Sequence, residues 1–218
     1  MPPFSQTLTP AKALIFRITH RDNVPWILQN GLHCQNSATC DPSFVSIGNT
    51  DLIDVRKRRI VTIPPGGTLA DYVPFYFTPY SPMLLNIKTG YAGIHQRRND
   101  EIVMLVSSLS ELKRNEVAFV FTDRHAKLET ATFYDDDAKV AEAVDFELLQ
   151  RRDFKRDPER PDKVERYQAE ALAYRHVPAR AILGIGCYTS TIEQKLKATC
   201  ADHGVTARVV RRTDWYFS

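Results

Sequence analysis

Four groupings of residue types in this 218-residue chain have the makings of a reactive site. The first is Glu170 in "VERYQAEALAY" (164–174), where a carboxylate enters a stretch of small and apolar residues. An acid in such a place is costly unless it has a partner or a task. The plain alternatives are a surface glutamate or one paired with Arg166. The second is "FRITHRDN" (16–23), in which Arg17, Thr19 and Asn23 follow an apolar run into a helix start. Donors there can hold a phosphate, a ribose or a carboxamide; the alternative is a strand end with Asp22 or Asn23 as helix cap. The third is "DYVPFYFTPYSPM" (71–83), the most aromatic segment. Phe75 and Phe77 read as core, which leaves Tyr76 facing the other way as a site candidate able to stack a planar ring. The fourth, "FTDRH" (121–125), closes an apolar run, and strand ends are common places for functional side chains.

The elements that must position these groups follow from periodicity. "ALIFRI" (13–18) reads as a strand, and the stretch 24–30 as a short helix with Pro25 in its first turn and Gly31 at its stop. The polar segment from Cys34 to Asp51 reads as loop, "LIDVRKRRIV" is ambiguous, and "PPGG" (64–67) is a break. "VPFYF", "EIVMLVSSL", "EVAFVFTD", "ARAILGIGCY" and "TARVV" read as strands. Residues 135–152 carry helical spacing in Val140, Val144 and Leu148. Ser190 and Glu193 suggest a capping box opening a helix that Gly204 closes. Around Glu170, Ala169, Ala171 and Ala173 alternate with Glu170, Leu172 and Tyr174, which favours a strand, although the alanines also permit a helix. The charged run 151–165, broken by Pro158 and Pro161, reads as a solvated loop, and "DWYFS" as a docked aromatic tail. Without regular βαβ alternation or a GxGxxG motif, this is a mixed α+β domain over 1–218 with about six to eight strands.

Composition excludes other classes. Hydrophobic residues at 43% and charged residues at 25% describe a globular protein. No apolar run approaches the ~20 residues of a membrane helix, and "MPPFSQTLTPAKALIF" lacks signal-peptide features, so a cytoplasmic location and no membrane partner are expected. The four cysteines, Cys34, Cys40, Cys187 and Cys200, show no paired metal spacing, so no metal is expected. A net charge of +3 is mild, but the cations cluster at 56–59, 97–98, 151–156 and 208–212 while acids gather in 134–147. That asymmetry favours an anionic partner on one face.

Several blocks then resemble one family. "RITHRDN", "NGL", "IPPGGTLADYVPFYFTPYSPM", "FVFTDRHA", "RYQAEAL" and the terminal "WYFS" occur in the order found in DarT, the toxin of the DarT–DarG toxin–antitoxin pair, and together they span essentially the whole chain. The resemblance implies an ADP-ribosyltransferase fold, two packed β-sheets with a central NAD cleft flanked by helices. It implies sequence-dependent transfer of ADP-ribose from NAD+ to thymidine N3 in single-stranded DNA, with release of nicotinamide and reversal by the DarG macrodomain. It assigns Glu170 as catalytic together with an arginine before "PPGG", for which "DVRKRR" offers Arg56, Arg58 and Arg59 and Arg56 aligns best, and it makes Arg17, Thr19, His20, Asn23, Gly31, Leu32 and Tyr76 NAD+ contacts. Met83, His125, Arg151, Arg152 and Arg166 become DNA contacts, the last three on or beside the charged run. One departure is that many relatives read His-x-Thr-His where this chain reads Arg17-Ile18-Thr19-His20. The rival readings are transfer to another base or to RNA, NAD+ hydrolysis alone, and a single-strand binding module without catalysis.

That chemistry suits the residues. Cleaving a ribose–nicotinamide bond builds positive charge that a fixed carboxylate such as Glu170 can stabilise. Thymine N3 carries a proton at neutral pH. A guanidinium is a weak base, so Arg56 is better suited to stabilising the thymine anion than to removing the proton. N3 also lies on the pairing edge, so a base in a duplex would first have to leave its partner.

Overall fold

The structure, a computed structural model, describes residues 3–48 and 50–218, and side chains throughout except those of 50–53. Within these residues the strands are β1 Leu14–His20, β2 Leu32–His33, β3 Tyr72–Tyr76, β4 Ile102–Ser108, β5 Phe119–Thr122, β6 Phe133–Tyr134, β7 Glu170–Tyr174, β8 His176–Val177, β9 Gly184–Cys187 and β10 Arg208–Arg211. The helices are α1 Val24–Asn30, α2 Thr50–Arg58, α3 Pro82–Thr89, α4 Leu109–Arg114, α5 Val140–Ala143, α6 Phe146–Arg151, α7 Lys163–Arg166 and α8 Ser190–Asp202.

Eight strands form one hydrogen-bonded series in the order β10-β9-β4-β1-β3-β7-β5-β6, and β2 pairs with β8 in a small ribbon. The count exceeds the sequence expectation because β2, β6 and β8 are two-residue strands, too short to leave a periodic signal. The series is two half-sheets. β1 pairs with β4 along its whole length, from Leu14–Ser108 to His20–Ile102, and β3 pairs with β7 from Tyr72–Tyr174 to Tyr76–Glu170. Between the halves, β1 and β3 share the single pair Phe16–Tyr76. Beyond that seam the two strands part, and a split between two sheets follows directly from one missing ladder. Tyr76 sits at the seam with Phe16 on one side and Glu170 on the other.

The core of the first half-sheet is apolar. Ile15, Phe16, Val103, Met104 and Leu105 are fully buried, with Leu84 and Ile87 of α3 packed into the same cluster. The second half-sheet carries a smaller cluster in which Leu172 packs with Val61, Leu69, Tyr72, Val120, Ala126 and Phe133. Glu170 lies two residues before Leu172, so by the strand period it points to that same face. The tail docks as expected: Trp215 and Tyr216 are buried, and the Tyr216 hydroxyl donates to the Ile102 carbonyl at 2.9 Å.

Four local expectations change. The helix over 135–152 is broken: α5 stops at Ala143, and the Asp145 side chain then caps α6 by accepting from the Leu148 N–H at 2.9 Å. The cap of α8 is Thr189 rather than Ser190, its hydroxyl accepting from Ile192 N–H at 3.2 Å. Asn23 occupies the cap position of α1, but its side chain makes no cap bond. The charged run is only partly a solvated loop, for Lys163 is buried against Asp153 at 2.6 Å and Phe154 packs on Tyr167 with ring centroids 5.0 Å apart. The two readings of "VERYQAEALAY" divide the segment, helix up to Arg166 and strand from Glu170. The ambiguous stretch 52–61 is helical up to Arg58. The loop reading holds from Cys34 to Gly48, Asn49 lies outside the described residues, and Thr50 and Asp51, expected in the loop, already belong to α2.

Candidate active site

Three elements converge on Glu170. β7 begins at this residue, and its backbone N–H donates to the Thr122 hydroxyl at the end of β5, 3.2 Å away. α2 brings Arg56, whose guanidinium donates to Glu170 Oε2 at 2.9 Å and to the Leu69 carbonyl at 3.4 Å. The turn after β5 brings His125, with Nδ1 2.7 Å from Oε1, and the Ala126 backbone N–H, 3.0 Å from the same oxygen. Both carboxylate oxygens are therefore satisfied, although Glu170 is only 2% exposed. An ionised carboxylate only accepts, so His125 Nδ1 carries a proton and donates it to Oε1.

Burial is the largest influence on the Glu170 carboxyl and raises its pKa. The Arg56 charge and the hydrogen bonds from His125 and Arg56 outweigh it and hold the group down to about 2. Glu170 is therefore a buried anion at neutral pH, a group able to stabilise positive charge beside it.

Further polar atoms face this cluster from the seam. Arg17 reaches across to the Pro74 carbonyl at 3.0 Å. Burial, with the nearby Arg56 charge, lowers its pKa to about 10, while Tyr76 acts in the opposite sense. The Tyr76 phenol is pushed upward by burial and by the Glu170 charge, so it stays a neutral donor. Among the described residues the Arg17 guanidinium has one acceptor and the Tyr76 hydroxyl has none. A desolvated cation and a free phenol beside a buried carboxylate fit a ligand rich in hydroxyls and phosphates.

The remaining expected residues divide. On β1, Arg17 and Thr19 share a side and His20 takes the other. Asn23 donates to the Thr19 hydroxyl at 3.0 Å and clamps Val45 through both backbone groups, at 3.0 and 2.8 Å, so it ties the 34–48 loop to the strand end. His20 accepts from the Asp22 N–H at 3.2 Å and approaches Glu101 at 3.7 Å. Gly31 ends α1 at φ 81°, and a Cβ there would come 2.5 Å from the Val177 carbonyl and would also run into His176, so only glycine fits. Leu32 is buried in the β2–β8 ribbon. Met83 is half-buried in the first turn of α3, which Ser81 caps.

Among the expected DNA contacts, His125 lies in the Glu170 cluster itself rather than on an open face. Arg151 is exposed and pairs with Glu147 at 3.0 Å. Arg152 stacks over the Tyr80 ring at 3.6 Å from its centroid and also donates to the Tyr80 hydroxyl. Arg166 is held by Asp162 at 2.6 Å. Arg59, which the sequence offers beside Arg56 and Arg58 as the essential arginine, instead donates to the carbonyls of Ala126, Leu128 and Glu129 at 3.3, 2.8 and 3.4 Å and so straps the His125 turn to the end of α2. Sequence reasoning missed Thr122, whose hydroxyl fixes the start of β7. Among the described residues no group of three or more His, Cys, Asp or Glu could hold a metal ion, and no helix is long and apolar enough to cross a membrane.

Comparison with known proteins adds the family. Residues 16–217 match the family described as "ssDNA thymidine ADP-ribosyltransferase, DarT". A DNA ADP-ribosyl transferase of Escherichia coli O127:H6 is 48% identical over 215 residues, covering 99% of this chain and 98% of that protein. Among solved structures, Thermus sp. 2.9 DarT in complex with ADP-ribosylated ssDNA is similar with a TM-score of 0.86 at 34% identity, covering 95% of this chain and 98% of that one. The same Thermus protein in complex with NAD+ is similar with a TM-score of 0.81, over 94% and 98%. A split pair of sheets with a buried carboxylate at the seam is thus the fold of an NAD+-dependent ADP-ribosyltransferase. Within that class the chain belongs to the DarT family of single-stranded-DNA thymidine ADP-ribosyltransferases.

Proposed function

We propose that Glu170, Arg56 and His125 are the catalytic centre at which this chain moves ADP-ribose from NAD+ to N3 of a thymidine in single-stranded DNA, within a preferred sequence, releasing nicotinamide. The observation that carries the reading is the Glu170 carboxylate, buried yet ionised, with donors from three separate elements. NAD+, when bound, supplies an ADP-ribosyl group whose anomeric carbon gains positive charge as the bond to nicotinamide breaks. Glu170 stabilises that charge and orients the ribose hydroxyls, and its depressed pKa keeps it anionic throughout. Arg56, already beside it, shares its guanidinium with the thymine anion. His125 is the better proton acceptor for N3: its Nδ1–H is engaged by Glu170, and Nε2 has no partner among the described residues. The bond from the anomeric carbon to N3 forms as the N3 proton leaves, and the electron pair of the broken bond departs with nicotinamide.

Arg17, Thr19 and Tyr76 then contact the dinucleotide directly, with His20, Asn23, Gly31 and Leu32 shaping the strand end, turn and loop around it. Met83, Arg151, Arg152 and Arg166 flank the acceptor strand. The chain acts as the toxin of a toxin–antitoxin pair in the cytoplasm, and a DarG macrodomain reverses the modification. Incubation with labelled NAD+ and a thymidine-containing oligonucleotide tests the reading. Wild type should label the deoxy strand and Glu170→Gln should not. Equal labelling of the matching ribo-oligonucleotide would move the acceptor to RNA. Nicotinamide release at the same rate without DNA, and with no adduct, would reduce the protein to an NAD+ glycohydrolase.

A further inference from the structure

The pair Arg97–Arg98, one of the cationic clusters in the sequence, takes no part in the Glu170 centre. It lines a cavity of about 600 Å³ together with Lys88, Asp100, Tyr188 and Thr189. Three element ends build it: the last turn of α3, the segment leading into β4 and the start of α8. The cavity lies beside the His20 end of β1, four residues along that strand from the Phe16–Tyr76 pair that adjoins Glu170. β4 starts beside His20, and Arg21 just beyond β1 reaches back to the Asp100 carbonyl at 3.2 Å. α3 carries Met83, one of the residues proposed above to flank the acceptor strand, in its first turn and Lys88 in its last, about 7.5 Å apart along the axis.

The lining is chemically lopsided. Arg98 is 74% exposed and lies 3.1 Å from Asp100 and 3.8 Å from Glu101. Arg97 touches Glu101 at 3.4 Å, while its buried Nε has no hydrogen-bond partner. Lys88 offers its ammonium with no acidic partner among the described residues. Three cations thus face two carboxylates, and α8 adds the positive end of a thirteen-residue helix at Thr189. Tyr188 contributes a half-buried ring, set edge-on to Tyr216 at 5.2 Å between centroids. A net positive hollow with one aromatic wall suits a phosphate attached to a base. Its wide mouth toward solvent suits a continuous strand better than a buried dinucleotide.

We propose that this cavity binds a backbone phosphate of the single-stranded DNA substrate, outside the nucleotide that is modified. The proposal rests on the transferase reading above for the identity of the strand. It makes the enzyme a reader of strand length as well as of the target base, with α3 as the ruler between the two.

The test is the affinity of the full chain for a long and a minimal thymidine-containing oligonucleotide over a range of salt concentrations. Wild type is compared with Lys88→Glu/Arg98→Glu and with the milder Lys88→Gln/Arg98→Gln. Both positions are partly exposed, and a melting curve checks the fold of each variant. For the long strand the slope of log affinity against log salt should shrink by about 0.7 for each phosphate that the variant no longer neutralises. The minimal strand should lose little, and NAD+ affinity by calorimetry should not change. An unchanged slope for the long strand overturns the proposal. Loss of NAD+ affinity with DNA affinity intact also overturns it, because the phosphates held would then be those of the dinucleotide. Competition by inorganic phosphate as strong as by the long strand would show an anion site without strand recognition and overturn it too. Binding needs no chemistry, so the outcome stands even if wild type labels no thymidine, a result that would sink the transferase reading alone.

Discussion

Two charged regions, the Glu170 cluster and the 151–166 run, use the same residue types to opposite ends. In the run, Arg151–Glu147, Arg160–Asp145 and Arg166–Asp162 are ion pairs at 3.0, 3.2 and 2.6 Å, all partly or largely exposed. Water screens such pairs, and each contributes roughly 0–1 kcal/mol. In the cluster, an acid 2% exposed meets a guanidinium 15% exposed at 2.9 Å, and a histidine and a backbone amide complete its surroundings. There the same chemistry sets a protonation state. An ion pair at the surface follows its surroundings, whereas a buried one fixes a charge that a reaction can lean on.

The contrast can be broken most sharply at Glu170. Glu170→Gln keeps the shape and one acceptor oxygen but removes the charge, so thymidine labelling should fall by about 100- to 1000-fold while NAD+ binding persists. Labelling within a few-fold of wild type would mean that the buried charge does no chemistry. Next is His125→Asn, which can still donate to the carboxylate but offers no ring nitrogen to N3. A loss of about 100-fold in transfer is expected, with nicotinamide release less affected; equal loss of both would make His125 merely a prop for Glu170.

Arg56→Ala sharpens the comparison through pH. The folded pKa of Glu170 lies below its ordinary 4.5, so its favourable interactions contribute to stability above that value and are lost as pH falls through about 2. Without Arg56, burial is opposed mainly by His125, and the acid limb of the transfer rate should move to higher pH. A pH–rate profile superimposable on wild type would show that Arg56 does not set the charge. Arg59→Ala should have a smaller effect, about tenfold on kcat with KM for NAD+ nearly unchanged, because it frees the His125 turn without touching either substrate. The smallest effect belongs to the run: Arg166→Gln should shift the melting temperature by no more than about a degree or two and weaken DNA binding mainly at low salt.

Much of this is legible in the sequence. Helix α1 matches the expected 24–30, since Pro25 and Gly31 mark its ends, and the burial of Phe75 and Phe77 with Tyr76 turned the other way follows from strand alternation. Glu170 stands out because an acid beside alternating alanines is an anomaly that local propensity does not explain. What stays hidden is long-range. The pairing of Arg56 with Glu170 spans 114 residues, and no local pattern announces it. Asn23 has the residue type of a cap, yet its amide is drawn to Thr19 and Val45, a tertiary tie that overrides local cap preference. Likewise the seam that opens the sheets is a ladder that stops after one residue pair, Phe16 with Tyr76, and it joins strands far apart in the chain.

The most direct measurement is mass spectrometry of a thymidine-containing single-stranded oligonucleotide after incubation with NAD+ and either wild type or Glu170→Gln. Wild type should add the mass of one ADP-ribosyl group, located by fragmentation on the thymine base, and Glu170→Gln should leave the strand unmodified. An adduct formed equally well by both proteins would contradict the account, as would one on phosphate rather than on the base.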